Sequence, residues 1–154
     1  MDNKVNISQL DKITDEHWRL LLLADPSKQL VQQYLQHGTT FEVRKSDQVV
    51  AIMVVEGISP TSLEIKNIAV DPKFENQGIA TKLLNYALDF AKGHQYRQVQ
   101  IGTGSTSFKQ LYLYQKVGFR ITSIRKDFFV KNYQHPIYEN GLLLRDMVVL
   151  VMNL

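Results

Sequence analysis

With 154 residues, 44% of them hydrophobic, the chain has material for one compact domain with a sizeable core and too little for two. It contains no cysteine, which excludes disulfides, thiolate metal sites and a cysteine nucleophile, and fits a cytoplasmic setting. The net charge of +3 is spread along the chain without a basic stripe, so nucleic acid is not an expected partner, whereas a ligand carrying several phosphates would suit it.

Residues 5–8 can form a first short strand. Thr14 is placed to cap a helix whose first turn carries Asp15 and Glu16, where negative charge suits the helix dipole, and which runs through the apolar residues 20–23. Asp25-Pro26 ends that helix and starts the next with Pro26 at the first helical position; Leu30, Val31, Tyr34 and Leu35 share a face, and Gly38 stops it. Residues 41–44 and 49–55 read as two strands joined through Ser46-Asp47. Residues 57–60 turn the chain into a third strand, 63–70 (LEIKNIAV), ended by Asp71-Pro72, which completes an antiparallel meander. From Ile79 the apolar residues recur at 79, 83, 84, 87, 90 and 91, one face of a helix about 20 Å long, and Gly93 sits where a left-handed cap would end it.

Residues 98–102 (QVQIG) form a strand that must run parallel to 63–70, because a whole helix separates the two. Ser107 and Gln110 have capping-box spacing for a helix to Val117, with Gly118 as its terminator. Residues 119–130 read as a strand, 132–141 as a loop and 145–153 as the last strand. The order is strand, two helices, three strands, helix, strand, helix, two strands: a single mixed α/β domain over residues 1–154. Residues 147–152 are apolar on both faces, so the last strand either lies inside the sheet or is covered by another subunit.

The segment that organises the rest is the loop Glu75-Asn76-Gln77-Gly78-Ile79-Ala80, which runs into the helix at Thr81. Gly78 and Ala80 are small enough to let backbone approach a ligand, and the free N–H groups of the first helical turn form an anion site. Residues 68–84 resemble the acyl-CoA signature of the GNAT superfamily of N-acyltransferases: Gln or Arg, two residues, Gly, one residue, then Gly or Ala. Those positions are here Glu75, Gly78 and Ala80. Glu75 departs from the pattern by placing a carboxylate beside a pyrophosphate, and is expected to point into solvent. A second segment, Leu-Tyr-Leu-Tyr-Gln-Lys-Val-Gly-Phe at 111–119, is similar to the family's Tyr, three residues, Gly-Phe, and the tail DFFVKNYQHPIYENG followed by RDM looks like that of small bacterial members. The element order resembles the GNAT fold too. The resemblance implies a twisted, mostly antiparallel sheet of about seven strands, a parallel central pair splayed at the cofactor site, and about four flanking helices.

The resemblance also implies an acyltransferase that uses acetyl-CoA and no metal. Ile68, Ala69 and Val70 then lie where the family's strand is splayed by a bulge, and the backbone groups of Ile68 and Val70 would hold the pantetheine arm and polarise the thioester carbonyl. Tyr114 matches the family tyrosine placed near the sulfur as general acid; a phenol pKa near 10, above a thiol's near 8.5, lets it keep its proton while bonding a thiolate. From spacing alone Tyr114 is equally a core residue among Leu111, Tyr112 and Leu113. Glu64 matches a position where some members have a glutamate base, and is equally a solvated strand-end carboxylate; Glu56 is a rival, and water can suffice. Ser107 matches a position that can reach the pantetheine, or is a plain helix cap.

Other chemistries find little support. His17, His37, His94 and His135 lack metal spacing and read as surface or loop residues. Gly102-Thr103-Gly104 opens like a dinucleotide fingerprint, but Ser107 stands where the third glycine belongs. No GxSxG or Walker motif occurs. Residues 1–10 have no apolar signal core, and the apolar runs 20–24 and 147–152 are far below the roughly 20 residues that cross a bilayer, so no membrane partner is expected. The expected function is transfer of acetyl from acetyl-CoA directly to a primary amine of a small-molecule or peptide acceptor. The alternative is a non-catalytic acyl-CoA-binding regulatory module. Similar-sized family members often dimerise near their last strands, which implies a homodimer through the 132–141 loop and the last strand.

Overall fold

The computed structural model describes residues 5–154. The elements are β1 (Asn6–Leu10), α1 (Asp15–Ala24), α2 (Lys28–His37), β2 (Thr39–Lys45), β3 (Gln48–Gly57), β4 (Ser62–Val70), α3 (Ile79–Gly93), β5 (Gln98–Gly104), α4 (Phe108–Val117), β6 (Arg120–Arg125), α5 (Phe128–Asn132), β7 (Tyr138–Glu139), β8 (Leu142–Leu143) and β9 (Met147–Asn153). Seven strands form one sheet in the order β1-β2-β3-β4-β5-β9-β6, with β4 and β5 the parallel pair and every other neighbour antiparallel. This is the expected mixed sheet.

Helices cover both faces. Met53 and Val55 of β3 face a core shared with Leu83, Leu84 and Ala87 of α3, while Ile52 and Val54 face one shared with Leu20 and Leu21 of α1 and Val31 of α2. Burial on both sides is why β3 reads as an unbroken apolar run.

The feature that positions the site lies in β4. Only its first half, Ser62 to Ile65, pairs with β5, at Gln98 to Ile101. On the other side Ile65 lies opposite Val55 and Asn67 opposite Val54, so Lys66 is an extra residue, a bulge that turns the second half of β4 away from β5. The two parallel strands therefore open at their C-terminal ends, where crossover units place ligands.

Several sequence expectations need correction. Pro26 does not begin α2: Ser27 caps it, accepting the Leu30 N–H at 3.2 Å, and the helix starts at Lys28. The left-handed residue after α3 is Gln95 (φ 66°), with Gly93 still helical. The strand expected over 119–130 ends at Arg125, because Asp127 turns left-handed (φ 59°) and its N–H is taken by Asp146 at 2.8 Å, starting α5. The 132–141 loop runs into a tight β7–β8 hairpin, turned by Asn140-Gly141 with both residues at positive φ (55° and 76°), as a type I′ turn requires. The first strand is Asn6–Leu10 rather than 5–8.

Of the two placements that the sequence left open for the last strand, the structure has the first: β9 is inside the sheet between β5 and β6, which accounts for its two apolar faces. The margin on that side is β6, all of whose residues are exposed. Among the described residues no helix is long and apolar enough to cross a membrane.

Candidate active site

The loop after β4 is held at both ends. Asp71 accepts the Lys73 N–H at 2.9 Å and the Arg19 guanidinium at 2.9 Å; the backbone bond foremost, then Arg19, outweigh the cost of burial and hold the carboxyl below the usual carboxylate range. Lys45 donates to Gln77 Oε1 at 2.6 Å, tying the loop to β2. Gly78 then takes the left-handed conformation (φ 80°), and a Cβ there would meet nothing within 4 Å. The first helical bond runs from Lys82 N–H to the Gly78 carbonyl at 3.1 Å, so the N–H groups of Gly78, Ile79, Ala80 and Thr81 have no intrahelical partner. They open onto a cavity of about 390 Å³ whose walls are this loop, Ile68 and Val70 of β4, and Lys109 to Lys116 of α4. Open space before a glycine and four free donors fit the diphosphate of a coenzyme A.

Glu75 is at the mouth of this cavity. Its carboxylate, about two-fifths exposed, pairs with Lys109 Nζ of α4 at 3.2 Å. The departure from the family pattern is thus balanced by a cation across the opening; Glu75, expected to point into solvent, is exposed but held at the rim by Lys109.

A second cavity, about 520 Å³, lies beyond the open end of β4. Ile68, Val70, Glu75, Gln110 and Tyr114 line both cavities, so the two meet at Tyr114. Tyr114 is 5% exposed; burial alone pushes its phenol well above the ordinary tyrosine value, so the hydroxyl stays protonated at neutral pH. A protonated phenol between two cavities can give a hydrogen bond, and then a proton, to a leaving group that arrives from either side.

The walls of the second cavity come from distant parts of the chain. Asp25, at the α1–α2 corner, accepts the Ser27 N–H at 3.1 Å, the Tyr34 hydroxyl at 3.1 Å and the Tyr133 hydroxyl at 2.8 Å. Asn67, next to the bulge in β4, donates its amide to the Leu21 carbonyl at 3.0 Å and to Tyr34 at 2.8 Å. Burial first, then the Asp25 charge, raises the Tyr133 phenol; burial also raises Tyr34, although the bond from Asn67 opposes it. Glu139, carried on β7, accepts the Ser107 hydroxyl at 2.5 Å and the Thr106 hydroxyl at 3.1 Å. Asn140 fixes the hairpin beneath it by donating to the Thr106 carbonyl at 2.8 Å.

The match to known proteins agrees with this geometry. The model of the acetyltransferase (GNAT) family matches residues 9–119. An uncharacterised N-acetyltransferase of Bacillus subtilis is 40% identical over 151 residues, covering 98% of this chain and 97% of its own. The chain belongs to the GNAT acetyltransferase family. A GNAT acetyltransferase of Elizabethkingia anophelis, solved with acetyl-CoA bound, superposes with a TM-score of 0.95 at 45% identity, covering 99% of this chain and 100% of that one. A Bacillus subtilis acetyltransferase solved in complex with CoA gives 0.93 at 40% identity, covering 98% and 99%. As a GNAT protein the chain is an acetyltransferase that moves acetyl from coenzyme A to an amine.

Within this GNAT site the residues singled out from sequence divide into groups. Ile68, Val70, Glu75, Asn76, Gly78, Ile79, Ala80, Thr81 and Tyr114 come together on the first cavity. Ala69 and Ser107 line the second, and Gln77 is bonded to Lys45 at the loop. Ser107 precedes α4 but makes no side-chain cap; its hydroxyl is turned to Glu139 and donates to it. Glu64 lines neither cavity: its carboxylate is buried on β4 and paired with Lys66 Nζ at 2.9 Å, with Glu56 3.9 Å from the same ammonium. His17, read as a surface residue, is buried; its Nδ1 accepts the Thr14 N–H, so Nε2 carries the proton to Glu42 at 2.7 Å. The residues missed from sequence are Asp25, Asn67, Tyr133 and Glu139. The only local signal for any of them was Asn140-Gly141, whose hairpin brings Glu139 inward.

Proposed function

We propose that the chain transfers acetyl directly from acetyl-CoA to the neutral primary amine of a small-molecule or peptide acceptor, both substrates being bound together. Acetyl-CoA supplies the acyl group activated as a thioester. The N–H groups of Gly78 to Thr81 would hold its diphosphate, the unpaired end of β4 at Ile68 to Val70 would hold its pantetheine, and Tyr114 holds the proton that the departing sulfur requires. The observation that carries the reading is the buried Tyr114 in the walls of both cavities, which would give donor and acceptor separate entrances to one point. With no cysteine in the chain, no thiol is available to carry the acetyl group between them.

The amine's own proton must leave as the new bond forms. Neither Glu64 nor Glu56 borders either cavity, so we assign its exit to water. Proximity of the two substrates supplies much of the acceleration in such a site.

The test is thiol release from acetyl-CoA over a panel of polyamines, amino acids, aminoglycosides and peptide amines, with intact-protein mass measured during turnover. Sequential kinetics and no acetylated protein are expected. A raised melting temperature with acetyl-CoA but no thiol release with any amine would make the chain an acyl-CoA-binding module instead.

A further inference from the structure

We infer that the acceptor is a diamine or polyamine, whose reactive nitrogen reaches Tyr114 while a second, still charged ammonium is held between Asp25 and Glu139. The inference rests on the acetyl-transfer reading above and names the class of acceptor for that same site.

The argument begins with charge. The ionisable side chains of the second cavity, apart from its tyrosines, are Asp25, Lys66, Glu75 and Glu139. Lys66 is held by Glu64 at 2.9 Å, and Glu75 by Lys109 at 3.2 Å. Asp25 and Glu139 have no cationic partner within ion-pair distance among the described residues. They are positioned instead by neutral donors, Tyr34, Tyr133 and the Ser27 N–H for Asp25, Thr106 and Ser107 for Glu139. Such donors orient a carboxylate and leave its charge uncancelled.

The second observation is independent of those carboxylates. Asn67, 4% exposed and lining the same cavity, has a buried Oδ1 with no hydrogen-bond donor. The orientation of its amide follows from its partners, because the nitrogen must face the Leu21 carbonyl, and the oxygen is left as an acceptor. Buried acceptors are ordinarily paired, and one left open beside a cavity points to a ligand that brings N–H groups. Phe129, Tyr133 and Tyr138 complete the wall with aromatic faces, which attract cations. The wall thus offers acceptors and ring faces, with its one lysine already paired. A carboxylate-bearing acceptor would meet Asp25 and Glu139 with nothing to balance it.

Aliphatic ammonium groups have pKa values near 10.4. The trailing group therefore stays charged while the reactive nitrogen must lose a proton. That nitrogen forms the amide bond to the acetyl carbon, the carbon–sulfur bond breaks, the sulfur takes a proton, and the amine gives one up; the second ammonium is unchanged.

The experiment compares kcat/KM for spermidine, n-butylamine and alanine at saturating acetyl-CoA, in the natural protein, Glu139→Gln and Asp25→Asn, with calorimetric titration of spermidine into the CoA-bound protein. Glu139→Gln can still accept both hydroxyl bonds on its one carbonyl oxygen, whereas Asp25→Asn keeps the acceptor for Tyr133 and the Ser27 N–H and gives up the one for Tyr34, so a thermal melt confirms the folding of each. The natural protein should prefer spermidine to butylamine by at least about tenfold, the scale of one charge-assisted hydrogen bond, and to alanine by more. Each variant should erode the spermidine to butylamine ratio by about tenfold, and added salt should erode it too. Butylamine within twofold of spermidine, a preference for alanine, or a ratio that survives both substitutions would overturn the inference. If no amine is acetylated, calorimetry separates the two readings: spermidine binding that needs Glu139 keeps the cation site while the transfer reading fails, and no binding ends both.

Discussion

The two sides of the cleft are built by opposite means. On the proposed cofactor side one contiguous stretch, from Ile68 to Thr81, supplies a strand end, a glycine at φ 80° and four N–H groups without intrahelical partners, and the groups offered are backbone. On the proposed acceptor side the groups offered are side chains, Asp25, Asn67, Tyr133 and Glu139, gathered from the ends of α1 and α5, from β4 and from a hairpin; Tyr133 and Asp25 touch across 108 residues of sequence. A backbone device can hold the same ligand with many side chains around it, whereas a side-chain device changes its ligand with each substitution. The comparison separates a half built of backbone from a half built of side chains, and Tyr114 is the point where the two meet.

The largest effect should come from that meeting point. Tyr114→Phe removes only a hydroxyl and is expected to lower kcat by roughly 10²-fold while the KM for acetyl-CoA stays within about twofold, measured by thiol release. A loss confined to KM would place Tyr114 on one side alone. Because burial holds the phenol protonated, the natural enzyme's pH profile should show no alkaline loss from this group up to pH about 10.

The backbone device can be blocked without touching its donors. Ala80→Phe fills the cavity from a regular helical position, free of the strain that any side chain at Gly78 would carry, and should weaken acetyl-CoA binding at least about tenfold in calorimetry. Spermidine affinity should change far less. Equal losses would mean the two sides are not separable.

On the acceptor side, Asn67→Ala leaves the Leu21 carbonyl and the Tyr34 hydroxyl without their donor and should cost about 1–3 kcal/mol in chemical denaturation. A neutral outcome would show the network to be dispensable to the fold. Alkali should act in the same place. Tyr34, Tyr114 and Tyr133 all have phenols raised by burial, so above pH about 10 the unfolded chain ionises tyrosines that the folded one keeps neutral, and the stability present below that pH is lost as pH rises. The melting temperature is expected to fall steeply there, and Tyr133→Phe to soften the fall.

The smallest effect concerns the rim. Glu75→Gln frees Lys109 and removes a carboxylate near the phosphates, so acetyl-CoA should bind up to about fivefold tighter, an advantage that fades with salt because the pair is exposed. Weaker binding would show that Glu75 holds Lys109 where the coenzyme needs it.

How much of this was legible in the sequence follows from the same contrast. The order of the larger elements, the parallel β4–β5 pair, the anion loop at Gly78 and Tyr114 ahead of Gly118-Phe119 were readable because each depends on residues close in the chain, where spacing and backbone geometry fix what the segment must do. The bulge at Lys66, the place of β9 inside the sheet, the pairing of Glu75 with Lys109 and the turning of the Ser107 hydroxyl to Glu139 were decided only when segments distant in the chain met. The acceptor cavity belongs wholly to this second group. A carboxylate such as Asp25 or Glu139 looks in sequence like any surface acid, and only packing against hydroxyls with no cation in reach makes it a candidate site, since its electrostatic role depends on neighbours that chain proximity does not supply.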